Sequence, residues 1–452
     1  MVEIGAHKQR RFLTQLRGAI LDLRSQLWFR PAAFCIVAAL ISIAVPFAEV
    51  LVPKGWVSWF GDTHAATAQE VLKFLASGML TIITIIMSAL MLVLSVASGQ
   101  ASPRAVPELM ADPVAQNTLG IFLATFVFSF GALIVIGADL VERRGMAIYA
   151  VATLVLVILV LRYLLEVIHH VPDILKINTM IARVHRQAEA VLQQYFAEAA
   201  DDPAAAGPAP QKIAEGVPVW PKRVGYVRWV DHDLLVEAAE EHNVRIELLF
   251  RIGEFVSKAA PLMLVEGLPD DENDRDAVID RLRSLIAIGS ERSSAGDPLL
   301  GIDLLAEIAS RALSPGINDV GSTITCIDYL ESLLAIAGRV APASYPPAWI
   351  GEGRVMRHPV GFAVMLRHAI RGPARDGAMK VEVALEFLSA IKKLTAISDS
   401  AYRNDLLSEA RRIAGQAEQA LALQSDRDRV KDALRTVKKV ETGEENEGEH
   451  YR

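Results

Sequence analysis

The stretch "SGMLTIITIIMSALMLVLSVASGQ", Ser77–Gln100, decides how the chain is read. It is apolar throughout and long enough to cross a bilayer, which takes about 20 residues as a helix. It also carries hydroxyl side chains at Ser77, Thr81, Thr84, Ser88, Ser95 and Ser98, spaced by threes, fours and sevens. On a helix such positions share one stripe. The other face holds Met79, Ile83, Ile86, Leu90, Val93 and Ala97. The segment is a membrane span with one apolar side and one side of small polar groups.

Working outward, the chain has 452 residues, 52% of them hydrophobic, and a mean hydropathy of +0.31. That is too apolar for an ordinary soluble protein of this size. Charge is sparse between Ala32 and Leu165 and becomes ordinary after Ile174. A membrane half therefore precedes a soluble half. The net charge of −7 gives no basic footprint for nucleic acid. Cys35 and Cys326 have no metal-ligand spacing and read as free thiols.

Four segments reach spanning length: Ala33–Val52, Phe74–Ser98, Leu119–Ala138 and Met146–Leu165. The first reads as a retained span, because a long basic lead precedes it and no small-residue cleavage site follows. Lys8, Arg10, Arg11, Arg17, Arg24 and Arg30 precede that span, and Lys176, Arg183 and Arg186 follow the fourth. The excess of basic residues on the side of the first and fourth spans places both termini in the cytoplasm. The "VERRGM" loop, with Arg143 and Arg144, runs against this rule, softened by Asp139 and Glu142. Trp28, Phe29 and Tyr163 form an inner aromatic belt, and Trp56, Trp59, Phe60 and Tyr149 an outer one.

The expected domains run as follows. A basic segment (1–32) leads into the four-span region (33–170), then a helical stalk and linker (171–217) containing "DDPAAAGPAP". A small β-rich module (218–267) comes next, with strands at Val224–Val230, Val244–Arg251 and Phe255–Val265 and a helix capped by Asp231 or Asp233. A helical domain (268–436) and a polar tail (437–452) complete the chain. The fold class is thus a four-helix transmembrane region with a cytoplasmic α+β domain, a β-rich module followed by a helical bundle. His169 and His170 point apart on a helix and lack a third ligand, and the acidic "LPDDENDRD" turn lacks the spacing of a calcium loop. No metal or cofactor is expected.

The strongest local motif spans Glu291 to Leu330, "ERSSAGDPLLGIDLLAEIASRALSPGINDVGSTITCIDYL". Ser314-Pro315-Gly316 ends one helix, and Asn318 or Asp319 caps the next. The alternative is an anion or nucleotide held by Arg292, Arg311 and the amides after Asp319. Glu291 with Asp297, or Asp303 with Glu307, offer paired carboxylates for a membrane-bound enzyme, although such pairs are common on solvated helices. Walker, HExxH, nucleophile-elbow and kinase patterns are all absent.

"SVASGQASPR" (Ser95–Arg104), "IARV" (Ile181–Val184), "IGEFVSKAAPL" (Ile252–Leu262) and "ERS…GDP…ALSPGIND…CIDYL" together resemble the bacterial predicted membrane protein family known as domain of unknown function 2254. The resemblance covers nearly the whole chain. This sequence departs from the family pattern at Gly296, where Gln is usual, and at Val320, where Pro is usual. The resemblance implies a membrane location and supplies no activity.

Two readings of the hydroxyl stripe follow. Small residues permit close helix packing, with each hydroxyl bonded back to its own helix. Alternatively, copies of the chain surround an axis, and Thr81, Thr84, Ser88, Met91, Ser95 and Ser98 line a hydrated path with Arg104 at its cytoplasmic mouth. The functional expectation is a homo-oligomeric conduit for ions or small solutes with a cytoplasmic regulatory domain. A membrane-anchored scaffold or sensor for a cytoplasmic partner is the competing class. The partners expected are the lipid bilayer and further copies of the chain.

Overall fold

A computed structural model describes residues 28–51, 53, 62–100, 113–174, 176–200, 213–293, 296–342 and 349–442. The basic lead before Trp28, the outer-loop residues Lys54, Trp56, Trp59 and Phe60, the "DDPAAAGPAP" linker and the tail after Thr442 lie outside them. The chain forms two compact units, Met1–Thr179 and Met180–Arg452.

The first unit contains α1 (Phe29–Ala48), α2 (Asp62–Gln100), α3 (Pro113–Gly137) and α4 (Arg143–Ile174). Its most extensive packing is between α1 and α3. That closeness depends on two glycines. At Gly120 a side chain would overlap the Phe34 ring, and at Gly131 it would overlap the Ser42 hydroxyl. Leu72, Phe122, Phe128, Ala132 and Tyr149 fill the interior. Phe128 meets Tyr149 edge-on at 5.9 Å, and the Tyr149 hydroxyl donates to the Ser42 carbonyl at 2.6 Å.

At one end of the unit a buried carboxylate, Glu49, accepts hydrogen bonds from the amides of Glu142 (3.1 Å) and Gly145 (3.0 Å). The first turn of α4 thereby finds an acceptor for amides that have no partner within the helix. Outward-facing positions remain apolar: Ile36, Leu40, Ile43, Phe130, Ile134, Leu154 and Ile158 are all exposed. An apolar exterior around a partly polar interior is the arrangement expected when lipid is the solvent.

The second unit begins within α5 (Ile177–Ala200). This segment, expected as a stalk, buries Ile181, Val184 and Leu192. Ala188 lies so close to Gly301 that no side chain fits there, and His185 Nε2 is 3.2 Å from the Ser332 hydroxyl. Then come β1 (Val217–Val219), β2 (Gly225–Val230), α6 (His232–Glu241), β3 (Arg245–Leu248), β4 (Phe255–Val256), β5 (Met263–Glu266), α7 (Glu272–Arg283) and β6 (Ile286–Gly289). The remainder is α8 (Leu300–Ala312), α9 (Val320–Gly338), β7 (Trp349–Ile350), β8 (Val355–Met356), α10 (Phe362–Asp376), α11 (Val381–Ile397), α12 (Arg403–Ala420) and α13 (Gln424–Thr442).

One sheet has the order β1-β5-β3-β8-β7 and a second β4-β2-β6. Three strands therefore come from the stretch read as helical. β6 pairs antiparallel with β2, and β8 runs parallel to β3 through Ile246 opposite Val355. Strands of two to four residues are too short to show an alternating pattern. Val227, Ile246, Met263, Val265, Leu235 and Leu282 form the core beneath the sheets.

Among the described residues five helices are long and apolar enough to cross a membrane: α1 to α4 and, with the lowest hydropathy, α9. The last carries Asp328 and Glu331, buries Cys326, Ile327, Leu330, Leu333 and Leu334, and packs on α8, α10 and α11. Those helices give it the surroundings of a core helix in the second unit.

Candidate functional site

On α2 the two faces are distinct. Leu72, Leu75, Met79 and Ile83 are buried against neighbouring helices, with Ile86 packed beside them. Ser77, Thr81, Thr84, Ser88, Met91 and Ser95 are exposed in the single chain. The Thr84 hydroxyl donates to the Leu80 carbonyl and the Ser88 hydroxyl to the Thr84 carbonyl, both at 2.9 Å. Ser77 bonds back to Phe74 at 3.1 Å. Each of these protons is committed to its own helix, so the oxygen lone pairs are what the stripe offers outward. The side chain of Ser98, and Arg104 altogether, lie outside the described residues.

The motif residues of the second unit separate into a brace and a cap. Arg292 donates from Nε to Asp297 Oδ2 at 2.8 Å and from Nη1 to Asp303 Oδ2 at 2.6 Å. Asp303 Oδ1 lies 2.6 Å from His368 Nδ1. Asp297 is fully buried and also accepts the Leu299 amide at 3.0 Å. Burial pushes the Asp297 carboxyl above its ordinary range, and the bonds from Arg292 and Leu299 offset only part of that. Burial acts on Asp303 in the same sense, but the hydrogen bonds from His368 and Arg292 outweigh it and hold this carboxyl below its usual value. Burial likewise opposes the Arg292 charge, and the two carboxylates overcome it and keep the guanidinium protonated.

The brace also shapes a turn. Gly253 has φ +87°, and the space where its side chain would project is filled by the Asp297 carboxylate and Arg292 Nε. Only glycine fits both the backbone angle and the contact. Glu291, one residue before Arg292, is exposed.

Asn318 and Asp319 form the cap. Asp319 accepts the Ser322 amide at 3.0 Å and the Ser322 hydroxyl at 2.6 Å, satisfying the first turn of α9. Its carboxyl is lowered first by the Ser322 hydroxyl and then by the Ser322 amide. Asn318 sits at φ +52°, a left-handed conformation that Asn tolerates better than most residues. Arg311 occupies the last turn of α8. Of the sequence candidates, the structure joins Arg292 to Asp297 and Asp303. His368, which completes the brace, is 65 residues from Asp303 and carries no local signal. Among the described residues no group of three His, Cys, Asp or Glu side chains is arranged to hold a metal ion.

A family model described as "Predicted membrane protein (DUF2254)" matches residues 24–393, and the chain belongs to that family. Uncharacterized proteins of Mycobacterium bovis and of Mycobacterium tuberculosis strain H37Rv are each 27% identical over 426 residues, which covers 90% of this chain and 78% of the relative. No solved structure matches the chain.

Proposed function

We propose that this DUF2254 protein is a homo-oligomer of the bacterial inner membrane in which copies of α2 surround a conduit for ions or small solutes. In this reading α1 to α4 span the bilayer, both termini are cytoplasmic, and the second unit regulates passage from the cytoplasmic side. The observation that carries it is the exposure of Thr81, Thr84, Ser88, Met91 and Ser95 along one line of α2, opposite the face that packs inside the chain. A polar line on the outside of a membrane unit calls for a polar or protein neighbour, and a closed ring of copies supplies both. The committed hydroxyl protons leave acceptor oxygens on the line, which suits cations better than anions. Met91 stands in the same line as the one bulky apolar residue and forms the constriction.

The test is the mass of the purified protein in detergent, followed by tracer flux in liposomes. A monomer at all protein concentrations would remove the conduit reading. A second reading, a membrane-anchored scaffold or sensor, draws on Trp220, Val224 and Phe255, large apolar side chains exposed around β2 and β4.

A further inference from the structure

A cleft within the second unit has a composition that neither the brace nor the cap explains. Its polar lining is Arg251, Arg357, His232, His358 and Tyr195, and no carboxylate is among its lining residues. That bias stands out in a chain with 53 acidic and 46 basic residues. The lining comes from five places: α5, the start of α6, the turn between β3 and β4, the Gly296–Pro298 loop and the segment after β8. Phe250 and Ile252 give it an apolar side.

Each wall is held in place. Tyr195 accepts the Val360 amide at 2.7 Å and so fixes the segment that bears Arg357 and His358. Gly253, next to Ile252, rests on Asp297, which is anchored by Arg292, itself held by Asp303; Gly296, also at a left-handed φ of +85°, lies in the facing loop. The "ERS…GDP" motif thus builds one side of the cleft. Arg251 pairs through Nη1 with Glu254 Oε1 at 3.9 Å and donates its amide to Glu254 Oε2 at 3.0 Å; Glu254 itself is not among the lining residues, whereas Arg251 is. His232 is kept neutral by burial and then by the nearby Arg357 charge, so it serves as an uncharged hydrogen-bonding group at neutral pH.

We propose that this cleft binds the phosphoryl group of a small organic phosphate, with Arg251 and Arg357 on its oxygens, His358 beside them, and the apolar part of the ligand against Phe250 and Ile252. Guanidinium forks match phosphate oxygens in geometry and charge. The assignment stands independently of the conduit. The same chemistry is offered by a soluble nucleotide and by a phospholipid headgroup, which the experiment separates.

The full chain in detergent is titrated calorimetrically with inorganic phosphate and with AMP, and the chain in nanodiscs of phosphatidylcholine is compared with nanodiscs containing phosphatidylglycerol. Saturable AMP binding at least tenfold tighter than inorganic phosphate, weakened at least tenfold in Arg251→Gln and in His358→Glu at unchanged melting temperature, establishes a soluble ligand. Melting raised by phosphatidylglycerol alone, with that rise lost in the same two variants, establishes a headgroup. Arg357→Gln is a third variant, used if it folds. Failure of AMP and of phosphatidylglycerol alike, or responses that persist in both Arg251→Gln and His358→Glu, overturns the proposal.

Discussion

His368 Nδ1 lies 2.6 Å from Oδ1 of Asp303, and the other oxygen of that carboxylate takes a 2.6 Å bond from Arg292. Among the described residues Arg292 is the one cation bonded to Asp297. Replacing Arg292 with Met strands a buried carboxylate and should cost about 3–5 kcal/mol. His368→Ala removes a half-exposed partner and should cost about 1 kcal/mol. Denaturant unfolding of the full chain checks both. Because Asp303 is held below its ordinary range, its contribution is present above the unfolded pKa and is lost as pH falls through the folded one.

His232 gives a second pH dependence of the same sign. Its folded pKa is lowered from 6.5 to about 4, by burial first and by Arg357 second. A histidine that stays neutral when folded contributes fully above its unfolded pKa, and that contribution declines as pH falls from about 6.5 towards 4. Because the ring is partly exposed, the loss should be about 1–3 kcal/mol. Melting curves between pH 7 and pH 4.5 should fall more steeply for the native chain than for His232→Asn; equal slopes would refute the assignment.

At the "ALSPGIND" break the two neighbouring residues should respond differently. Asp319→Ala leaves the first turn of α9 uncapped and should cost about 1 kcal/mol. Asn318→Gly keeps the left-handed backbone and should lie within about 0.5 kcal/mol of the native chain, whereas Asn318→Val should be strained by about 1–2 kcal/mol. Thermal unfolding of the three variants gives the order.

Features of this kind were legible in the sequence because they are local. Asp231 and Asp319 each cap a helix that starts at the next residue, and the two faces of α2 follow from one helical period. What could not be read depends on residues far apart in the chain. The β3–β8 pairing joins Ile246 to Val355 through a two-residue strand, the brace needs His368, and the cleft draws on five separate segments. Periodicity reports the environment of an element and says little about which distant element supplies it.

Glu49 is another such residue. It lies inside the expected first span, Ala33–Val52, with no sequence neighbour to mark its partner, yet it is buried and accepts two amides of the loop and first turn at α4. Glu49→Ala should leave both amides without an acceptor and lower stability by about 1–3 kcal/mol. Glu49→Gln retains a carbonyl oxygen and should recover part of that loss. Thermal aggregation of the detergent-solubilised variants compares them.

The stripe on α2 gives the prediction on which the conduit stands. Cysteines at Thr84, Ser88 and Ser95 should react with small aqueous thiol reagents in the assembled protein, while cysteines at Met79 and Ile83, buried inside the chain, should not. Water access decides the outcome, since the thiolate is the reactive species and a thiol in lipid stays protonated. In a conducting assembly, modification at Ser88 should block flux. Ser88→Leu should do the same without a reagent by adding apolar bulk at the axis, and Met91→Ser should raise flux by widening the constriction. If the hydroxyls serve only to bring helices together, all the cysteines are inert and Ser88→Leu instead breaks the oligomer through overpacking. Equal protection of both faces in an intact oligomer would therefore leave close packing as the function of the stripe.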